Sequence, residues 1–194
     1  RVGNGAAGQH QLDGYGWVLD AAWVLEQAGH PLYSETWRAM RGFADLVARR
    51  WRDPDAGIWE IRDDAAHHVH SKLMGWLALD RALRIADTHR LSARQRRRWQ
   101  AARDALAVEV KTRGFDPAIG SYTRSYGSAD LDAALLILPL IGIEDADSPR
   151  SPGTINPVRD ERSTGGPRLT RTPPRRDATP PTAGHVRPSP ARTA

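Results

Sequence analysis

The chain has 194 residues, contains no cysteine and carries a formal net charge of +5. A length of this order suits one domain or one piece of a larger one. The absence of cysteine excludes a disulfide framework and a thiolate metal site. The longest apolar run, Ala133 to Ile143, contains a proline and is too short to span a bilayer, so we expect no membrane segment.

The excess positive charge lies in the C-terminal tail. Residues 146–194 contain nine Arg and four acidic residues, whereas residues 1–145 contain 19 basic and 19 acidic residues. The body of the chain is therefore neutral, and we expect no nucleic-acid partner. No signal peptide is visible, which favours a cytoplasmic location, although the chain opens on Arg1 rather than Met and an original N-terminus could be missing.

Hydrophobic periodicity predicts helices throughout the body of the chain. The clearest pattern places apolar residues at steps of three and four between Tyr33 and Trp51, which is one face of a helix. Ser92, followed three residues later by Gln95, forms a capping-box pattern. The predicted helices cover residues 12–28, 33–51, 71–87, 92–114 and a fifth segment that Ser128 caps and that runs through Leu138.

The composition changes from Asp147 onward. Ten of the fourteen prolines lie beyond this point, and no aromatic residue follows Tyr126. Such a segment cannot bury enough apolar area to offset its ordering entropy. We predict an all-α fold over residues 1–146, with slight strand signal at 58–61 and 121–124. The tail, 147–194, is predicted to be mostly disordered, with at best a marginal helix at 151–163.

One segment combines an aromatic ring with an acid. Trp59 and Glu60 follow each other just past a polar Pro/Gly loop. An aromatic face offers a surface on which a sugar ring can stack. Shielding from water raises the pKa of a neighbouring carboxylic acid, which lets it act as a general acid on a glycosidic oxygen. The alternative is an ordinary Trp-Glu pair at the end of a loop.

Other polar segments also lie at predicted helix starts. Residues 4–16 combine glycines with amides and a carboxylate, which suit the directional hydrogen bonds of sugar hydroxyls, although Asp13 could equally favour a helix dipole. Lys72, one of two lysines, could reach a cleft or be a solvated helix-start residue. The histidines of 67–70 lack the ligand spacing of a metal site, so no metal is expected. The aromatic and hydroxyl-rich segment 114–133 either lines a saccharide cleft or joins two helices.

In this order, these segments resemble the C-terminal half of glycoside hydrolase family 15 catalytic domains, the glucoamylase-like and bacterial trehalase-like enzymes. The resemblance implies part of an (α/α)₆ toroid and inverting hydrolysis of terminal α-linked glucose from oligosaccharides or polysaccharides. It implies no cofactor, because acid–base glycoside hydrolysis needs none. The segments that carry it are 4–16, 53–62, 70–81, 114–116 and 125–133.

The resemblance also assigns residues. It implies that Glu60 is the general acid. It implies that a glucoside or oligosaccharide substrate contacts a larger set of side chains. That set comprises Trp59, Gln9, Gln11, Asp13, Tyr15, Arg62, Lys72, Trp76 and Tyr126.

The chain departs from the family pattern in one respect that matters for chemistry. An inverting glycosidase needs a second carboxylate as general base, about 6.5–9.5 Å from the acid. In the family this glutamate lies further downstream, near a Gly-Asn-Phe-Pro-type segment that this chain lacks. We therefore expect the isolated chain to be inactive. The alternatives are an α,α-trehalase fragment, a non-catalytic carbohydrate-binding helical fragment and a partner-binding helical repeat; the sequence indicates no oligomeric state.

Overall fold

The structure, a computed structural model, describes residues 10–59, 65–145 and 147–164. It is mostly helical, so the all-α prediction is confirmed. None of the described helices is long and apolar enough to cross a membrane. The elements are α1 (Asp13–Gln27), α2 (Ser34–Arg50), α3 (Val69–Ile85), α4 (Ala93–Glu109), a π-helical turn (Val110–Gly114), β1 (Phe115–Asp116), β2 (Ser121–Tyr122), a 3₁₀ helix (Ala133–Ile137), α5 (Leu138–Ile141) and α6 (Arg150–Thr164).

Helix α3 is the centre of the fold. All of its residues except Arg84 are buried, and it packs against α1, α2 and α4. A helix that is buried on every side lies inside a protein rather than at its surface. The polar side chains that α3 carries therefore lose contact with water and need partners within the protein.

Asp80 and Arg81 form a buried ion pair in the C-terminal half of α3. Asp80 accepts hydrogen bonds from Arg81 at 2.8 Å and from Arg84 at 2.7 Å. Arg81 also donates to Asp20 of α1 at 2.7 Å, and its guanidinium lies 4.3 Å from the centre of the Trp23 ring. Buried charges are tolerated when they are paired in this way. The network therefore joins α1 to α3 without leaving a charge unpaired.

Helices α1 and α3 pack closely at Gly16. A Cβ atom added there would lie 2.6 Å from the main-chain oxygen of Met74, so a larger residue would force the helices apart. In the predicted helix 12–28, apolar residues recur in helical spacing at 12, 15, 18, 19, 22 and 25, which predicts Val18 and Leu25 on its buried face, but both are exposed. The reason is that α1 carries apolar residues on nearly every side, so spacing alone does not identify its buried face.

Helix α2 shows its predicted apolar face. Trp37, Met40, Ala44 and Val47 are buried, whereas Tyr33 precedes the helix and is exposed. The face packs on α3 and α4. The predicted cap of α4 is confirmed as well, because the Ser92 hydroxyl accepts a hydrogen bond from the Gln95 main-chain N–H.

The predicted fifth helix is wrong in its start and its length. Asp132, not Ser128, caps the helical segment, accepting a hydrogen bond from the Ala134 N–H at 2.9 Å. The segment is a 3₁₀ helix followed by the one-turn α5, which ends at Gly142. Ser128 instead accepts a hydrogen bond from Asp130 in the preceding turn.

The strand predictions have mixed outcomes. Ser121 and Tyr122 form β2, which pairs antiparallel with β1. Ile58 and Trp59 lie in a turn instead of a strand, while residues 60 and 61 lie outside the described residues. The loop around these two residues is shaped by hydrogen bonds to distant segments, which local strand propensity does not register.

Part of the predicted tail packs onto the body. Helix α6 lies within it and contacts β2 and the 3₁₀ helix. Thr154 is buried and accepts a hydrogen bond from the Tyr122 N–H at 3.0 Å, and Val158 is buried too. The predicted marginal helix is therefore present, and residues 165–194 lie outside the described part of the chain.

The Glu26 carboxylate joins the C-terminal end of α1 to the loop that follows α3. Glu26 of α1 accepts hydrogen bonds from the Leu32 N–H at 2.8 Å and the Thr88 hydroxyl at 3.1 Å, and its Oε1 lies 2.7 Å from His89 Nε2. Burial alone raises the pKa of Glu26, but these hydrogen bonds outweigh it, so the pKa lies below its ordinary value. The ionised carboxylate thus holds the loops after α1 and α3 together.

Replacing Glu26 with Gln is expected to reduce the free energy of unfolding by about 1–2 kcal/mol near pH 7, since charge-assisted hydrogen bonds are stronger than neutral ones. Because the folded-state pKa is depressed, this stabilisation is present above the unfolded value of 4.5 and is lost as pH falls through the folded pKa. Urea unfolding of both proteins, followed from about pH 6 to about pH 3, should show the difference shrinking. Asp104→Asn, an exposed carboxylate, is the control; a difference that does not change with pH contradicts the prediction.

Candidate active site

Connecting segments from distant parts of the chain meet beside the start of α3. Asp55, after α2, pairs with Ala66 through an isolated antiparallel bridge, and His68 pairs with Ser125 in the same way. The segment before α1 joins them through a side-chain contact of Asp55. The structure therefore brings these polar connecting segments together.

Asp55 ties the loop after α2 to the start of α1. It is 2% exposed, and its carboxylate accepts hydrogen bonds from the Leu12 N–H at 2.9 Å and the Gly57 N–H at 3.3 Å. Gly57 has a φ of +65°, and a Cβ there would lie 2.7 Å from the His68 ring. Glycine is therefore needed at this position. The loop conformation follows from one buried acid and one glycine.

Trp59 presents an exposed indole at the end of this loop. The residue is 57% exposed, yet its Nε1 donates to both carboxylate oxygens of Asp132 at 3.0 Å. Asp132 itself is 6% exposed. An aromatic ring that is accessible to solvent and held by a buried partner has the form expected of a stacking surface for a sugar.

Three predicted site residues lie outside the described residues. They are Glu60, Arg62 and Gln9. Their roles as general acid and substrate contacts stay predictions.

Asp13 and His70 are buried ionisable residues at the starts of α1 and α3. Asp13 is 7% exposed, and its Oδ1 has no hydrogen-bond partner among the described residues. Burial raises the pKa of Asp13, and the nearby His70 opposes this effect. Burial likewise lowers the pKa of His70 against the opposing influence of Asp13. Ionisable groups that burial displaces from their ordinary pKa are typical of functional sites.

Lys72 is placed differently from the sequence prediction. It is fully buried, and its ammonium donates to the main-chain oxygens of Trp51 at 2.6 Å and Asp53 at 2.7 Å. Burial lowers the pKa of Lys72. The structure thus assigns the ammonium to the backbone of the loop that leads to Trp59, and direct contact with a sugar has no support in this geometry.

The remaining predicted contacts are spread around the same region. Gln11 donates to the Gly57 carbonyl at 3.3 Å, which adds a second link to the loop. The Tyr15 ring packs against Phe43 of α2 at 5.4 Å. Trp76 of α3 is buried and packs in the hydrophobic core.

Tyr126 lies at the edge of this region. Its ring stacks on His67 at 5.6 Å, and the Arg113 guanidinium lies 4.7 Å from its centre. Burial raises the pKa of Tyr126, so its hydroxyl stays protonated at neutral pH. Its predicted contact with a sugar stays a prediction.

A cleft of about 470 Å³ opens beside these residues, between α1, α3 and the segment 133–141. Its walls are mainly apolar. Ile58, next to Trp59 in the chain, and His70 line the cleft, and the ion pair of Asp20 and Arg81, which also lines it, supplies charge. A cleft of this size can accommodate a small ligand.

The histidine segment does not form a metal centre among the described residues. No group of three or more His, Cys, Asp or Glu side chains there is arranged to hold an ion. His67 and His68 are half-buried, and burial lowers the pKa of each. They therefore contribute neutral imidazole groups at neutral pH.

Asp55, His70 and Asp132 are buried residues of this region to which the sequence assigned no role in the site. Each lies within a polar segment that the sequence analysis named, so its position along the chain was one signal that could have identified it. Their burial decides their importance, and burial depends on contacts with residues far away in the sequence.

Comparison with known proteins decides the family. The model of glycosyl hydrolases family 15 matches residues 1–171. The chain belongs to glycosyl hydrolases family 15. The predicted family resemblance is thereby confirmed.

The family relatives include several trehalases. The chain is 36% identical over 166 residues to a trehalase of Thermoplasma acidophilum, a match that covers 86% of this chain and 28% of the relative. It is 32% identical to a trehalase of Mycobacterium tuberculosis, covering 86% and 24%. The chain thus spans about a quarter of the length of these relatives.

Solved glycosidase structures share the fold. One, in complex with glucose, superimposes with a TM-score of 0.67 at 22% identity, covering 79% of this chain and 40% of the other. This similarity supports the predicted (α/α) helical architecture for the part of the family domain that the chain contains.

Asp13→Asn is expected to stabilise the chain by about 1 kcal/mol near pH 7, because it removes a buried charge that lacks a full set of partners. The pKa of Asp13 is higher in the folded state than its value of 3.8 in the unfolded chain. As pH rises above 3.8, the unfolded chain therefore loses this proton first, and the free energy of unfolding falls. The gain from Asp13→Asn should therefore be larger at pH 7 than at pH 4 in thermal or urea unfolding. Asp55→Asn should do the opposite and destabilise; stabilisation by both variants contradicts this account.

Lys72→Met is expected to lower the free energy of unfolding by about 2–4 kcal/mol, because one buried and one partly buried carbonyl lose their donor. Lys111→Met is the matched control, since Lys111 is the other lysine and is partly exposed. Urea unfolding of the two variants measures the difference. Equal losses in both would show that the Lys72 ammonium does not hold the loop.

Proposed function

We propose that this chain supplies the acid-bearing wall of a site that hydrolyses the α-glucosidic bond of α,α-trehalose. The observation that carries the proposal is the exposed Trp59 indole, held by a buried carboxylate, directly before Glu60 in the chain. Asp55 and Lys72 fix the loop that leads to this ring. The geometry therefore supports a preformed sugar-stacking surface beside the predicted acid.

In the proposed reaction, Glu60 donates a proton to the glycosidic oxygen as the bond to the anomeric carbon breaks. The sugar passes through an oxocarbenium-like transition state, and a second carboxylate activates the attacking water on the opposite face. The proposal assigns that second carboxylate to a part of the protein other than the described residues. Hydrolysis then inverts the anomeric configuration.

Trehalose is proposed as the substrate in preference to a longer α-glucan with a terminal glucose. The support is the set of relatives at 32–36% identity that are named trehalases. Maltose, which presents the same non-reducing glucose in a different linkage, is the substrate that distinguishes trehalase from glucoamylase activity.

Glu60→Gln in the complete gene product should reduce kcat for glucose release from trehalose by about 10²–10⁴-fold, since a positioned general acid contributes about that factor. A coupled glucose assay measures the rate, and Glu35→Gln on the surface of α2 is the control. Full activity of Glu60→Gln excludes its role as the acid. Faster hydrolysis of maltose than of trehalose by the unmodified protein replaces the proposed substrate with an α-1,4-glucan.

A further inference from the structure

The hydrogen bond between Trp59 and Asp132 joins residues that are 73 positions apart. Both carboxylate oxygens of Asp132 lie 3.0 Å from the indole Nε1. A hydrogen bond to an ionised carboxylate is stronger than one to a neutral acceptor. The indole of an exposed tryptophan is thereby held in one orientation.

Asp132 is itself held rigidly. Its Oδ1 also accepts from the Ala134 N–H at 2.9 Å, and the 3₁₀ helix it caps is anchored by Leu135, which is fully buried, as is Leu138 at the start of α5. Functional groups on such packed elements are positioned more accurately than groups on free loops. Asp132 therefore links the Trp59 indole to a segment that is packed in the core.

We propose that Asp132 is a positioning residue that fixes the Trp59 indole as the stacking surface for the glucose ring. The inference rests on the proposed function and assigns Asp132 no contact with the substrate. Without this acceptor the indole rotates freely, and the sugar must order it on binding. Ordering one such side chain corresponds to about a two- to tenfold loss of affinity.

The cap and the indole contact can be separated by substitution. Asp132→Ser keeps an oxygen that caps Ala134, since serine is a good cap, but its shorter side chain does not reach Trp59. Asp132→Asn keeps both the cap and one acceptor for the indole. Asp116→Ser is the matched control, because Asp116 accepts a hydrogen bond from Ala118 in the same local pattern but is not bonded to Trp59.

The first measurement is spectroscopic and needs no substrate. In ¹⁵N-labelled full-length chain, Trp59→Phe identifies the Trp59 indole N–H resonance. We expect Asp132→Ser to shift this resonance upfield and Asp116→Ser to leave it unchanged. An unchanged resonance in Asp132→Ser overturns the inference and leaves the proposed function untouched.

The second measurement is a double-mutant cycle on trehalose affinity by calorimetry. Asp132→Ser should raise the trehalose Kd about two- to tenfold in the native background and have no further effect in Trp59→Phe, because the acceptor acts only through the indole N–H. Asp132→Asn should restore most of the affinity. The same loss in both backgrounds overturns the positioning role, since Asp132 would then act elsewhere.

Failure of the proposed function has a different signature. If the unmodified protein binds neither trehalose nor maltose, the sugar site is absent and the positioning role falls with it, whatever the indole spectrum shows. If it binds sugar and Asp132→Ser does not change the Kd, only the positioning role is wrong.

Discussion

The burial of every α3 residue except Arg84 is the constraint on which the rest of the structure depends. The charged groups on this helix need partners inside the protein, because the cost of burying an unpaired charge is several kcal/mol. Lys72 finds main-chain carbonyls of the loop after α2, and Arg81 finds Asp20 of α1. The same contacts that satisfy α3 therefore fix the neighbouring helices and loops.

The candidate site is a consequence of this arrangement. Three side chains hydrogen-bond the loop that ends at Trp59. They are Lys72 of α3, Asp55 within the loop and Asp132, which directly precedes the 3₁₀ helix. The loop that carries Trp59 is thus held by buried polar groups, whose hydrogen bonds are strong in a low dielectric and specific in direction.

Asp13, unlike the buried groups that hold the Trp59 loop, lacks a hydrogen-bond partner for one of its oxygens among the described residues. Its carboxylate is buried with one oxygen unpartnered among the described residues, and burial raises its pKa, so it costs stability at neutral pH. Natural proteins keep such groups where function requires them. Asp55, equally buried but with both oxygens bonded, contributes to stability instead. Asp13 and Asp55 thus differ in their hydrogen-bond partners more than in their burial.

The sequence by itself determined the helical class, the buried face of α2, the cap at Ser92 and the family, because these depend on local periodicity and on ordered motifs. It did not determine the start of the segment that Asp132 caps or the buried face of α1, where apolar residues occur all round. It also could not show that Lys72 faces the backbone or that Asp132 holds Trp59. Those facts depend on contacts between residues far apart in the chain, and only the tertiary structure, by burying one partner beside the other, decided them.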